Sequence, residues 1–471
     1  YLQLDRTEIG RTTDYTMGDL WIVSSSPVMA PGRDGFMFVA RSTYHGPTQQ
    51  GRMQLMPVLP GSRFPPTGGR ASSGGGGCTV YAIRGPNASG DIGMLQCLEE
   101  MTELSLGFTP TLLQGASAVP PVVASPPDGF GALLPAADVF SLSITAAEVD
   151  SIVEGAVAGF TLNPDQAAVL HSAARWFTAS NSPPGVNGDR PVHLVHGVFG
   201  SGKSHMLVAC TAMLAALLEH SRAGAAAQVL IASSTNVAVD NVLLGLLNSG
   251  FLDFARVGSV RKMHKLVLPH AAHSTGSETK RAIADLKAIL SGKFGEKVDP
   301  LERTSVQEAL DKLTSKKANR DRVISRRVVG VTCAATGFGA LIGRSFPIVI
   351  LDEASQMVEP SSLLPTARFG AHRLLAVGDP VQLPPVVAAA PIPMPRAILD
   401  TVESSSTLAF TLFERLAKSG LEPIVLRTQY RCHPALANLA STLFYGGSLH
   451  NGIDDDERPQ LVPELAPLTL V

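Results

Sequence analysis

With 471 residues, 45% of them hydrophobic, the chain is long enough for two or three domains with a sizeable core. No run of about 18 uninterrupted apolar residues occurs, so a spanning helix is excluded and a soluble chain without membrane association is expected. Cys78, Cys97, Cys210, Cys333 and Cys432 form no CxxC pair, which leaves neither a zinc module nor a disulfide framework and points to a reducing, intracellular compartment.

The chain starts at Tyr1 with no Met and no signal-like segment, so a piece of a longer protein is expected. Short β-like runs at Asp19–Val23, Phe36–Ala40, Met53–Met56 and Thr79–Ile83 are separated by turn-rich stretches, which predicts a small antiparallel barrel or sandwich over residues 1–110. Pro60–Gly77 is low in complexity, and the Pro/Ala/Ser-rich Gly115–Pro135 lies in a predicted linker, 111–144. From 145 the pattern changes to helices alternating with short apolar strands. Helical spacing runs through Glu148–Ala158 and Pro164–Phe177; strands are predicted at Val192–His196, Gln228–Ala232, Val328–Thr332, Ile348–Leu351 and Leu374–Val377. Wholly apolar strands of this kind belong to a parallel α/β sheet buried on both faces. Such folds bind ligands at the carboxyl ends of their strands.

Charge is unevenly placed. Arg256 to Arg327 holds 17 Lys/Arg against 8 Asp/Glu, a local +9 within a chain of net −2. Helical spacing at Glu278–Leu290 and Leu301–Lys317 makes residues 262–327 a basic helical insertion, either a solvated surface or a region that attracts phosphate backbones. A new unit is predicted from 405 to 471, with a helix at Leu408–Ala417, a strand at Ile424–Leu426 and a last strand at Leu468–Val471.

Three motifs carry chemistry. Gly197-Val-Phe-Gly-Ser-Gly-Lys-Ser204 fits GxxxxGKS/T between an apolar strand and a helix. Backbone N–H groups around Gly197, Gly200 and Gly202 would cradle phosphate, Lys203 would reach the β- and γ-phosphates of ATP, and Ser204 would ligate Mg²⁺. At the end of Ile348–Leu351, Asp352 is placed to hold Mg²⁺ and Glu353 to deprotonate the attacking water. An Asp-Glu pair after a strand is weak alone and strong when it follows a phosphate loop in the same sheet. Gln382, in Gly378-Asp-Pro-Val-Gln-Leu-Pro-Pro385, would touch the γ-phosphate and that water.

In order along the chain, Ser233-Ser-Thr-Asn-Val-Ala-Val-Asp240, Asp352-Glu-Ala-Ser-Gln356, Gly378–Pro385 and Gln429-Tyr-Arg-Cys-His-Pro434 resemble the motifs of superfamily 1B helicases, the branch of the nonsense-mediated-decay helicase and senataxin. Val195–Ser204, Arg256–Lys262 and Glu359–Phe369 look most like its GRF-type zinc-finger recombination helicases. The resemblance implies a P-loop RecA-like first motor domain at 145–404, an accessory β-barrel before it, and an incomplete second RecA-like domain after it. It implies that Gln166 hydrogen-bonds adenine, Tyr430 stacks on it, and Arg431 is an arginine finger. It further implies that Ser234, Thr235, Asn236, Thr332 and Thr336 touch a single-stranded nucleic-acid backbone.

The function so implied is a monomeric, nuclear, ATP-dependent 5′→3′ helicase, acting on DNA in recombination or fork repair with proteins of those pathways. An RNA or RNA–DNA hybrid helicase is the alternative, as is an ATP-switched nucleic-acid clamp. The family's later Gln-Gly and arginine motifs and its Cys-rich zinc module are not in these residues. The 471-residue chain by itself is therefore expected to bind nucleotide weakly and unwind little.

Overall fold

The computed structural model describes residues 2–3, 15, 18–29, 35–43, 52–58, 80–88, 90–95, 134–178, 190–273, 277–292, 298–314, 326–387 and 409–458. The chain divides into two units, Tyr1–Gln96 and Cys97–Val471.

In the first unit, β1 (Leu2–Gln3) pairs antiparallel with β4 (Arg52–Met53). The strands β2 (Asp19–Ser24), β3 (Met37–Ser42), β5 (Leu55–Pro57) and β6 (Tyr81–Asn87) form an antiparallel sheet in the order β5-β3-β2-β6. Alternation along β2 turns Trp21 and Val23 into a small core with Tyr15 and Met53, while Ile22 between them faces outward. Among the described residues these strands make an antiparallel sheet with β5 and β6 at its ends, in the region where a small antiparallel barrel or sandwich was expected.

The second unit is built on eight strands: β7 (Val192–Gly197), β8 (Val229–Ser233), β9 (Phe254–Val257), β10 (Ala271–Ala272), β11 (Val328–Thr332), β12 (Ile348–Asp352), β13 (Arg373–Gly378) and β14 (Ile424–Leu426). Their order is β10-β9-β11-β8-β12-β13-β7-β14, with every pairing parallel. All residues of β8, β11 and β12 are buried, which is why these strands read as unbroken apolar runs. Because β13 lies between β12 and β7, three of the motif-bearing loops leave the same sheet edge side by side.

Helices α1 (Ala136–Phe140), α2 (Ala146–Gly159), α3 (Pro164–Thr178), α4 (Lys203–Glu219) and α5 (Asn236–Asn248) contribute to one core with β7, β8 and β12. Thr145 starts α2 with a capping box to Glu148, a Thr-x-x-Glu signature visible in the sequence. The insertion holds α6 (Ser277–Leu290) and α7 (Pro300–Thr314), which bury Leu286, Val306 and Leu310 in a core of their own with Val260 and Leu268. Then follow α8 (Glu359–Ala367) and α9 (Leu412–Lys418).

The strand Ile424–Leu426, expected to belong to a further unit from 405, instead becomes β14 and pairs with Val195–Gly197 of β7. The sheet therefore continues to Leu426. Beyond it, β15 (Thr428–Gln429) pairs with β16 (His450–Asn451), with α10 (Pro434–Phe444) between them. The predicted segment Pro60–Gly77 and strand Leu468–Val471 lie outside the described residues, as does most of Gly115–Pro135. Among the described residues no helix is long and apolar enough to cross a membrane.

Candidate nucleotide site

The loop from β7 to α4 bends through Gly200 (φ 66°) and Gly202 (φ 74°), left-handed positions that an L side chain would strain. A Cβ at Gly197 would stand 2.3 Å from Lys203 Cγ, so this glycine makes room for the lysine stem. Lys203 Nζ donates to the carbonyl oxygens of Gly197 (2.9 Å) and Val198 (3.4 Å). At the start of α4, the first-turn N–H groups have no intrahelical acceptor and carry the positive end of the helix dipole. A cavity of about 220 Å³ opens there, lined by Gly200, Ser201, Gly202, Lys203, Ser204, His205, Glu353, Gln382 and Arg431.

Asp352 ends β12 only 3% exposed, and its Oδ1 accepts the Glu353 N–H at 2.9 Å. Burial first, and then the neighbouring Glu353 charge, push its carboxyl up to about 7. Glu353 has φ 56° and ψ 38°, one of three described non-glycine residues with positive φ. Such a conformation costs about 1–3 kcal/mol and persists only where its surroundings impose it. It turns the chain sharply out of β12, and Glu353 reaches the cavity wall while Asp352 stays buried behind it.

Gln382 is held by Asp379, a residue whose part in the site no sequence pattern announces. Its Nε2 donates to Asp379 Oδ2 at 2.6 Å, and Tyr445 Oη donates to the same oxygen at 2.9 Å. Asp379 Oδ1 meets His196 Nε2 at 3.0 Å and the Val381 N–H at 3.2 Å. Burial alone would raise the Asp379 carboxyl; the hydrogen bonds from His196, Gln382 and Tyr445 together hold it below its ordinary range. The Tyr445 phenol moves up, by burial and then by its bond to this carboxylate. Asp379 belongs to the Gly378–Pro385 motif, but nothing in its spacing marks an inward carboxylate. Gly378, level with His196 across the sheet, would meet Ser355 N at 2.7 Å if it had a Cβ. That contact lets Ser355 Oγ accept the Asp379 N–H at 2.9 Å.

Gln166 is 4% exposed. Its Oε1 accepts the Asn163 N–H (3.1 Å), its own N–H donates to Asn163 Oδ1 (2.9 Å), and its Nε2 donates to the Ser201 carbonyl (3.0 Å). The side chain expected to read adenine thus also caps α3 and braces the phosphate loop. Asn163 Nδ2 donates to Tyr430 Oη at 2.9 Å, and the Tyr430 N–H donates to the Gly200 carbonyl at 2.9 Å. Buried Gln429 shapes this turn, its Oε1 accepting the N–H groups of Arg431 (2.9 Å) and Cys432 (2.8 Å). Arg431 is thereby brought to the cavity against Gly200, where a Cβ would lie 2.5 Å from Arg431 Cβ.

The candidate nucleic-acid residues divide. Ser234 and Thr235 are exposed where β8 gives way to α5, and Thr235 Oγ1 caps that helix by accepting the Ala238 N–H at 3.2 Å. Asn236 Oδ1 accepts from Arg256 Nη2 at 2.9 Å. Arg256 is wholly buried and also donates Nε to Asp240 Oδ1 at 2.7 Å and Nη1 to the Val257 carbonyl at 2.7 Å. Burial pulls its guanidinium down from the usual arginine value, an effect that Asp240 opposes. Thr332 and Thr336 are buried, and Thr336 Oγ1 donates to the Cys333 carbonyl at 2.8 Å. In this structure, then, the Thr336 hydroxyl is committed internally and neither threonine offers an open side chain to a strand.

Among the described residues no group of three or more His, Cys, Asp or Glu side chains is disposed to hold a metal. One hydroxyl, Ser204, and one buried carboxylate, Asp352, suit Mg²⁺, which takes few protein ligands and completes its shell with water and phosphate oxygens.

Two family models, both described as AAA domain, match the chain, one over residues 162–322 and 296–390 and the other over 408–469. The 5'-3' DNA helicase ZGRF1 of Mus musculus is 36% identical over 483 residues, covering 99% of this chain and 24% of that protein. The Regulator of nonsense transcripts 1 homolog of Neurospora crassa is 31% identical over 268 residues, covering 57% and 22%. ATP-dependent helicase NAM7 of Saccharomyces cerevisiae is 30% identical over 270 residues, covering 57% and 25%. The chain spans about a quarter of the length of each of these curated relatives. A complex of Arterivirus nonstructural protein 10 (helicase) with DNA resembles it at a TM-score of 0.29 and 14% identity, covering 56% of this chain and 41% of that one.

Proposed function

The chain belongs to the UPF1-like superfamily 1 helicases, and on that premise we propose that it carries the ATP-hydrolysing site of a 5′→3′ DNA helicase. The observation that carries this reading is the convergence of Lys203, Glu353, Gln382 and Arg431, from four separate segments, on one cavity at the carboxyl edge of a parallel sheet.

Lys203 and the first turn of α4 bind the β- and γ-phosphates. Glu353 takes a proton from the attacking water, and Gln382 orients that water against the γ-phosphate. Arg431 neutralises the charge that grows on the transferred group. Ser204 and Asp352 would hold Mg²⁺, which would supply electrostatic stabilisation of the same charge. Tyr430 stacks on adenine and Gln166 hydrogen-bonds it, exchanging its present bonds to Asn163 and Ser201 for the base. Exposed Ser234 and Thr235, with the half-buried Asn236, contribute to the single-strand track, and the basic insertion adds long-range attraction. DNA as substrate, and with it a nuclear site of action, rests on the similarity to the mouse protein over 99% of this chain and 24% of that protein. The first motor domain runs from about 145 through β14, and residues from 428 onward open the second.

The test is ATP hydrolysis by the intact protein with matched single-stranded DNA and RNA, followed by unwinding of duplexes with 5′ or 3′ overhangs. DNA-stimulated hydrolysis, lost in Lys203→Ala, and unwinding from 5′ overhangs are expected. Hydrolysis at an unchanged rate in Lys203→Ala would refute the assigned site. Stimulation by RNA alone would refute the substrate.

A further inference from the structure

Gln382 is exposed, and a long amide side chain in that position has many rotamers open to it. What confines it is Asp379 Oδ2, and that oxygen is shared with the Tyr445 hydroxyl. Tyr445 does not belong to the motif that carries Gln382. It follows α10, beyond the Arg431 turn, with its N–H on the Ser441 carbonyl at 3.0 Å. Its ring packs on Phe199 of the phosphate loop at 5.8 Å and lies 6.4 Å from His196. With Asp379 1% exposed and both of its oxygens bonded, the carboxylate is a joint between three segments: the end of β7, the turn after β13, and the end of α10. The segment that holds Arg431 against Gly200 is thus the same one that completes the support of Gln382.

We propose that Tyr445 is a positioning residue for ATP hydrolysis, its hydroxyl fixing Asp379 so that Gln382 is presented to the γ-phosphate and the attacking water only while residues 428–451 are seated on the phosphate loop. This rests on the reading of the site as an ATPase. The seated arrangement delivers Arg431 and Gln382 together. When the segment lifts, Asp379 loses one donor and Gln382 loses its fixed anchor, so hydrolysis is coupled to the position of the second motor segment without any contact between Tyr445 and nucleotide.

The test is a double-mutant cycle in the intact protein with Tyr445→Phe, Gln382→Ala and the double variant, measuring kcat and KM for ATP in saturating single-stranded DNA. Tyr445→Phe keeps the ring against Phe199 and deletes only the hydroxyl. The expected result is a kcat lowered by about 5- to 10-fold with KM changed less than about 2-fold. In the Gln382→Ala background the same change should alter kcat by less than about 2-fold, because the residue through which it acts is gone. Equal fold losses in both backgrounds, or an unchanged kcat in the single variant, would overturn the proposal. Binding of a fluorescent ATP analogue at wild-type affinity identifies the folded state, so a kcat loss that appears only with lost binding also counts against it. Wild type and Lys203→Ala, run alongside, report on the ATPase reading itself: a Lys203→Ala protein as active as wild type overturns both, whereas an additive cycle in a Lys203-dependent ATPase overturns only the role of Tyr445.

Discussion

Asp240 and Arg256 form a buried ion pair whose removal can be calculated in sign and rough size. Arg256 is 0% exposed, and its guanidinium donates to Asp240, Asn236 and the Val257 carbonyl. Asp240 also accepts the His264 N–H at 2.7 Å, so the pair ties α5 to β9 and to the start of the insertion. Asp240→Ala leaves the guanidinium buried without its counter-charge, a change that costs about 3–5 kcal/mol. At roughly 2 °C per kcal/mol, the lower end of the range for large domains, the melting transition should fall by about 6–10 °C. Replacing both partners, as in Asp240→Leu with Arg256→Met, removes the uncompensated charge and should recover most of that loss. Recovery of stability should not bring wild-type function. Arg256, still present in Asp240→Ala, is gone from the double variant, and Asn236 there loses the Nη2 donor that orients it, so affinity for single-stranded DNA should be lowered in the double variant by about 3- to 10-fold for one lost oriented contact of about 1 kcal/mol. Circular dichroism melts and fluorescence-anisotropy titrations of the two variants provide the readout. A melting point within about 2 °C of wild type for Asp240→Ala, or wild-type DNA affinity in the double variant, would refute the reasoning.

Two predictions concern the acidic pair. The Asp352 carboxyl is raised in the folded chain, so the folded state holds its proton over a pH range where the unfolded chain has released it. Without nucleotide, stability should fall as pH rises from about 4 to about 7 and level off above, and Asp352→Asn should flatten that slope while abolishing hydrolysis. Thermal melts at pH 5, 6, 7 and 8 check this, and an unchanged slope in the variant would contradict it. Glu353→Gln preserves shape and backbone but removes the base, so hydrolysis should fall about 10²- to 10⁴-fold with ATP still bound, as measured by single-turnover hydrolysis beside nucleotide titration. Loss of binding in parallel would mean that Glu353 acts structurally.

The phosphate loop, the acidic strand end and the parallel sheet were readable because each is local. A loop between a strand and a helix needs glycines at fixed offsets, and strands covered on both faces need unbroken apolar runs. What could not be read depends on which distant segments meet. Ile424–Leu426 is a short apolar run, and nothing in it says that its partner is β7 and not a strand further along. Thr332 and Thr336 fit a backbone-binding pattern by position, yet the turn after β11 folds them inward. The Asp379 joint needs His196, Gln382 and Tyr445, spread over 250 positions, to reach one carboxylate. Runs of β-like residues in the first unit identified its strands, because each run alternates between a buried and an outward face, as Trp21, Ile22 and Val23 do.

Lys203 rests on the carbonyls of Gly197 and Val198. The loop therefore solvates its own cation, and an arriving triphosphate exchanges acceptors for it, neutral carbonyls for charged phosphate oxygens. Nucleotide affinity is then a difference between two sets of bonds to the same ammonium, smaller than the phosphate contacts alone would suggest. The lysine stem already runs past Gly197 before any nucleotide arrives, so the exchange asks the ammonium to change partners and not the loop to make room for it.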